Sequence, residues 1–229
     1  MSERDRTPAP LVITLASLTA VSGFIDAVSF LALGHVFTAN MTGNVLLLGF
    51  AAAGAAGFSF TASFTALACF LAGAVLGGVL ARRIRLHRSL VLVVMTLEAV
   101  LTLIAAVVAA SVVGVGVGWP RFLVVAILAL TVGTRNAAVR RLGVPDMTTT
   151  VLTTTLTGLA SESTLAGGTN PNVGNRGTSV VSMFVGALVG AVLVLHAGAA
   201  WSLGAAAALV VAAAAYFSRR TPLELGLAA

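Results

Sequence analysis

The stretch FTANMTGNVLLLG, Phe37 to Gly49, sets two Asn, two Thr and a Gly between apolar flanks. Six of its first eight residues are small, polar or hydrogen-bonding: Thr38, Ala39, Asn40, Thr42, Gly43 and Asn44. Only from Val45 does it become apolar. How the chain accommodates this stretch decides the fold. Polar groups and irregular backbone are tolerated at membrane depth only where protein or a water-filled cavity encloses them. A segment that enters the membrane and returns on the same side would provide such an enclosure.

The rest of the chain makes lipid the solvent. Of 229 residues, 59% are hydrophobic and 9% charged, with a mean hydropathy of +1.06. A soluble domain carries about 25% charged residues, so a water-facing surface cannot be built here and the expected partner is the lipid bilayer. The net charge of +6 comes from thirteen Arg and no Lys. These Arg lie in short clusters between apolar runs, which points to membrane orientation and away from nucleic acid. Cys69 is the single Cys, which excludes a disulfide framework and a thiol-rich metal site. No zinc spacing, dinucleotide fingerprint or nucleophile–base–acid set is present, so neither a metal, a cofactor nor an enzyme activity is expected. The N-terminus resembles a signal peptide through Arg4, Arg6 and the following apolar run, but apolar sequence continues to Gly34. An uncleaved first span is expected.

A helix crossing a hydrocarbon core of ~30 Å needs about 20 residues. Six segments meet that length or nearly so: 11–33, 60–81, 90–112, 122–141, 178–197 and 199–217. The segments 37–56 and 147–163 differ, the first beginning polar and the second being Thr-rich and short. If both dip in and return, then Arg82, Arg83, Arg85, Arg88, Arg140, Arg141, Arg219 and Arg220 all fall on one side. Arg4, Arg6 and Arg176 join them, and only Arg121 lies opposite. If both cross fully, the cluster at 82–88 and the pair at 219–220 separate. The positive-inside rule favours the first arrangement, with both termini cytoplasmic.

The two halves resemble each other. Ser22-Gly23-Phe24-Ile25-Asp26-Ala27-Val28 overlies Val132-Gly133-Thr134-Arg135-Asn136-Ala137-Ala138 at an offset of 110. The run Leu71 to Leu80 overlies Phe184 to Leu193 at an offset of 113, preserving Gly73 and Gly77 as Gly186 and Gly190. Between them, Met41-Thr42-Gly43-Asn44 meets Leu152-Thr153-Thr154-Thr155. Three spans per half would turn the second copy upside down, a recurring transporter architecture. The expected fold is therefore an all-α membrane protein of about six transmembrane helices plus two re-entrant or broken helices, built as two inverted-topology repeats. Its parts are an N-terminal tail (1–10), a first repeat (11–112), an external linker (113–121), a second repeat (122–217) and a C-terminal tail (218–229).

Within that frame the polar segments are the candidate substrate-binding elements. Asn40 and Asn44 share one helical face, and Thr38 and Thr42 form an adjacent pair. Gly43 lets another backbone approach. Thr150, Thr153, Thr154 and Thr157 follow helical spacing and form a hydroxyl stripe. Such groups can replace the hydration of a solute, or can serve only as glue between helices. Asp26 lies deep in the first span, where charge is expensive and usually paired or functional. Arg135 is its natural partner by repeat equivalence, with Asn136 the counterpart of Asp26. The pair reads either as a proton, cation or anion site or as a structural ion pair. Glu98 is a second carboxylate within a span, whereas Glu162, His35 and His196 lie near span ends. The loop Gly167 to Ser179 is turn-rich and is expected to be flexible. The four-residue glycine spacing in both halves favours close helix contact, and exposed glycine-rich faces would allow a homodimer.

The combination Gly23-Phe24-Ile25-Asp26-Ala27 with Phe37 to Asn44 resembles the YoaK-like family of bacterial inner-membrane proteins, a domain of unknown function. The run Val132 to Ala137, followed by Thr148 to Gly158, resembles it as well, so that the likeness covers residues 12 to 217. Family members usually carry Thr-Gly-Thr in the second half, where this chain has Thr153-Thr154-Thr155. The resemblance implies a multi-pass protein of the bacterial plasma membrane and supplies no substrate. From the residues, the expected function is a transporter or channel-like protein for a small anion or polar metabolite, with its site at the midplane. The alternative is a non-transporting membrane scaffold or sensor, whose polar segments only pack helices and which would have no cavity between them.

Overall fold

The computed structural model describes residues 8–111, 118–142, 152–170 and 172–221. These form eight α-helices: α1 (Ala9–Ala32), α2 (Met41–Ala52), α3 (Phe60–Arg83), α4 (His87–Ser111), α5 (Trp119–Arg141), α6 (Leu152–Ser161), α7 (Val173–Ala197) and α8 (Ala199–Arg220). Six are long and apolar enough to cross a membrane. The two short ones, α2 and α6, fall inside the segments set apart by their polarity. The expected tails, the 113–121 linker and the 147–163 segment lie partly outside the described residues, and Thr150 lies wholly outside them.

Helix boundaries follow local chemistry. Ser59 starts α3 by accepting the Ala62 N–H, and Asn40 starts α2 by accepting the Gly43 N–H at 3.3 Å. Both are N-cap residues with a short side-chain acceptor. Gly34 (φ 97°) and His35 (φ 55°) take left-handed conformations that break α1. Two boundaries differ from expectation. The helix α4 begins at His87, three residues before the expected span 90–112, so that Arg88 of the basic cluster is helical. Arg88 donates to the carbonyls of Thr221 (2.9 Å) and Ser218 (3.0 Å), satisfying the last turn of α8. The helix α7 begins at Val173, inside the stretch expected to be a flexible loop. Arg176, in its first turn, reaches Glu162 at 2.8 Å, which anchors the polar start of this helix.

Contacts between helices establish their directions. Pro8 just before α1 and Leu11 within it, His87 and Arg88 of α4, Leu142 after α5, and Phe217 of α8 with Thr221 just after it surround one small cavity. These helix ends therefore share one end of the bundle. In α3, Gly73 meets Leu130 and Gly77 meets Thr134, so α3 runs parallel to α5. Gly186 meets Ala20 and Gly190 meets Phe24, so α7 runs parallel to α1. Hence α1 ends and α3 begins at the far end, whereas α5 ends and α7 begins at the near end. Arg82, Arg83, Arg88, Arg140, Arg141, Arg219 and Arg220 all belong to near-end turns, and Arg121 lies at the far end beside Gly34. Trp119 and Trp201 stand in the first turns of α5 and α8, also at the far end.

The glycine contacts recur between the halves. Gly23 lies on the Met183 carbonyl and Gly133 on the Phe70 carbonyl; Gly73 lies on Leu130 and Gly186 on Ala20. Gly77 against Thr134 and Gly190 against Phe24 complete the set. Every partner in one half maps to its counterpart by the sequence offsets of 110 and 113. Without a side chain, each glycine lets a carbonyl of the neighbouring helix come to backbone distance. The most enclosed helix is α1, whereas α3 and α7 turn most of their apolar surface outward.

Candidate functional site

Asp26 occupies the third quarter of α1, six residues before the helix ends at Ala32. At ~1.5 Å per residue, it lies about 9 Å inside that end. After Gly34 the chain reverses and climbs back to this depth. There the Thr38 N–H and the Ala39 N–H donate to Asp26 Oδ1 at 2.8 and 2.7 Å. The climbing segment is neither helix nor strand, so its N–H groups have no ladder partner. A carboxylate supplies the acceptor, and α2 starts from that anchored point.

Asn44 secures the other side of the segment. Its Oδ1 accepts the Phe37 N–H at 3.0 Å, and its Nδ2 donates to the Phe37 carbonyl at 2.6 Å. Asn44 is fully buried. It therefore shares no solute-facing surface with Asn40, contrary to the expectation from their spacing: one amide completes both hydrogen bonds of a single peptide residue. Replacing Asn44 with Ala is expected to cost about 2–6 kcal/mol, since two part-buried backbone groups of Phe37 lose their partners at ~1–3 kcal/mol each. Thermal melting of the detergent-solubilised protein checks this. An unchanged melting temperature would contradict the clamp.

Between α1, the climbing segment, the start of α2, the start of α6 and α7 lies a cavity of about 720 Å³. Asp26, Asn40, Thr42 and Gly43 line it from the first half and Thr153 from the second. Phe30, Leu31, Phe37, Leu46 and Met183 supply most of its apolar wall. The rings of Phe30 and Phe37 stack with centroids 4.9 Å apart at 22°. Thus residues of both polar segments line one cavity, although not every polar residue reaches it. Thr38 is buried, Thr154 and Thr157 are exposed, and Thr157 spends its hydroxyl on the Thr153 carbonyl at 2.9 Å. Asn136 is half-buried and outside the lining.

The expected Asp26–Arg135 ion pair is not formed. Arg135 is fully buried and donates through Nη1 to Glu98 Oε1 and through Nη2 to Ser22 Oγ. The physical reason is competition for acceptors. Asp26 Oδ1 is taken by backbone N–H groups, whereas Glu98 on α4 faces α5 and is itself buried. Glu98 was legible as a charge within a span, but its partner depended on which helices adjoin. Phe30, four residues after Asp26, was the signal that sequence reading passed over: an aromatic ring on the same face as a deep carboxylate. Glu162 likewise pairs with Arg176 and is not simply solvated at a span end. Among the described residues, no group of three or more His, Cys, Asp or Glu converges as metal ligands would.

The family described as a protein of unknown function (DUF1275) matches residues 14–216. The UPF0700 transmembrane protein YoaK of Bacillus subtilis is 32% identical over 153 residues, which cover 66% of this chain and 65% of that protein. The match thus spans slightly less than two thirds of the curated relative's length. No solved structure gives a significant match.

Proposed function

We propose, for a chain that belongs to the DUF1275 family of multispanning membrane proteins of unknown function, a role as a small-solute transporter or channel-like protein. The observation that carries this reading is the cavity of about 720 Å³ lined by polar residues of both short helices and by Asp26. Its size falls within the ~300–1,000 Å³ usual for small-molecule sites. A scaffold whose polar segments only packed helices would bury Asn40, Thr42 and Thr153 against neighbours, whereas all three are exposed where they line this cavity.

The architecture we infer is a pair of inverted-topology repeats, α1–α4 and α5–α8, with α2 and α6 as re-entrant helices from opposite faces. Helix directions support it, because α1 and α3 meet α2 from the far end and α5 and α7 meet α6 from the near end. The recurring glycine contacts support it as well. Clustering of Arg at the near end supports a cytoplasmic location for that end and both termini, in a bacterial inner membrane. In such a frame the solute site sits where two broken helices converge, the usual place in inverted-repeat carriers.

The test uses the full chain with Cys69 replaced by Ser, reconstituted in liposomes and screened for uptake of amines, amino acids, small carboxylates and polyols. Thr42→Cys is expected to transport until a membrane-impermeant thiol reagent blocks it. Ala56→Cys and Leu165→Cys are expected to react from opposite faces without losing flux. No flux of any solute, or flux indifferent to modification at Thr42→Cys, would refute the transport reading. Labelling of Ala56→Cys and Leu165→Cys from one face would refute the topology.

A further inference from the structure

We propose that the cavity selects small organic cations, with an ammonium group held at Asp26 and hydrocarbon against the Phe30–Phe37 pair. This inference rests on the transport reading of the same cavity and specifies its substrate class.

The charge balance of the bundle interior carries the argument. Among the described residues away from the helix ends, three ionisable groups of full charge are buried: Asp26, Glu98 and Arg135. Arg135 and Glu98 neutralise each other in a direct ion pair, and neither lines the cavity. One carboxylate remains in excess, and it is the one on the cavity wall. Asp26 is also the only charged side chain among the described lining residues. An entering anion would bring a second negative charge beside the first, with no guanidinium to receive it. A monovalent cation would cancel the excess instead. Opposing this, the N-terminus of α2 projects about half a positive charge into the same region. That contribution is smaller than a full carboxylate charge, and Asn40 already takes the Gly43 N–H of that turn.

The wall distinguishes organic from inorganic cations. A hard metal cation asks for about six oxygen ligands, and this lining offers one carboxylate, Asn40, Thr42 and Thr153 among mainly apolar groups. Aromatic faces attract ammonium groups and also accept hydrocarbon. Asp26 and Phe30 stand four residues apart on one face of α1, and Phe37 stacks on Phe30. A carboxylate beside two phenyl rings in an otherwise apolar wall therefore fits an alkyl- or arylammonium ion.

The test compares phenethylammonium, 2-phenylethanol and phenylacetate, which share a ring and differ in charge. Titration calorimetry of the full chain in detergent is expected to show phenethylammonium binding at least tenfold more tightly than the other two. Asp26→Asn keeps an Oδ1 acceptor for the Thr38 and Ala39 N–H groups while removing the charge, and is expected to erase that preference without weakening phenylethanol. Phe37→Leu, which leaves Asp26 untouched, is expected to weaken phenethylammonium at least threefold and keeps the proposal testable if Asp26→Asn does not fold. Equal or tighter phenylacetate binding, a preference that survives in Asp26→Asn, or no binding by any probe would overturn the proposal. Liposome flux separates the two readings. Transport of carboxylates unaffected by Asp26→Asn would overturn the cation inference and leave transport standing. Phenethylammonium binding without flux of any solute would support the cation site and count against transport.

Discussion

Replacing Gly73 or Gly186 with Val is expected to abolish the folded protein, and the two substitutions should do equal damage. A Cβ added at Gly73 would collide with the Leu130 carbonyl, and one at Gly186 with the Ala20 carbonyl. The obstacle in both cases is backbone, which cannot rotate aside. The helices would have to move apart along a seam that also contains Gly77 against Thr134 and Gly133 against Phe70, or Gly190 against Phe24 and Gly23 against Met183. Overpacking a core ordinarily costs ~1–3 kcal/mol, and separating a whole seam should exceed that range. Gly78, next in sequence to Gly77, has nothing within 4 Å of where its Cβ would stand. Gly78→Ala should therefore be near neutral. Size-exclusion chromatography and thermal melting of the extracted protein provide the readout. A monodisperse Gly73→Val protein with a wild-type melting temperature would show that these backbones do not touch.

The second large effect concerns the buried ion pair. Glu98→Leu is expected to destabilise the protein by about 3–5 kcal/mol, because it leaves the Arg135 guanidinium buried with only Ser22 Oγ as a side-chain acceptor. Arg135→Leu should cost a similar amount by stranding Glu98. The double variant Glu98→Leu, Arg135→Leu is expected to recover most of that loss. Desolvating two charges consumes much of their attraction, and within this pair Glu98 Oε2 and Arg135 Nε have no hydrogen-bond partner among the described residues. A double-mutant cycle of melting temperatures isolates the coupling. Additive losses would show that the two side chains do not act as a pair. The cavity is expected to survive in the double variant, since neither residue lines it.

The fold was largely legible in the residues, for a reason specific to lipid. A spanning helix must bury about 20 consecutive backbone amides without water, so apolar length alone marks it, and six such runs became six long helices. The polar stretches at 37–44 and 148–157 marked the exceptions for the same reason. Boundaries were less legible where a charged residue found a partner elsewhere. Val173 to Ser179 reads as a loop until Glu162 is brought to Arg176. Arg88 reads as part of a basic cluster between two spans until it caps α8.

The candidate site divides along the same line. Asp26, Asn40, Thr42, Gly43 and Thr153 were identifiable as polar residues in the wrong solvent, and they line one cavity. Asn44 and Arg135 were equally conspicuous, but are consumed by Phe37 and by Glu98 with Ser22. Residue spacing determined which side chains share a helix face, and hydropathy determined which faces need shelter from lipid. Both are local properties that one chain segment carries by itself. Only the tertiary structure decided which acceptor each buried donor meets, since that depends on the crossing of helices far apart in sequence. There the Thr38 and Ala39 amides reached Asp26 and the guanidinium of Arg135 reached Glu98, leaving Asp26 the one charged side chain among the described residues of the cavity wall.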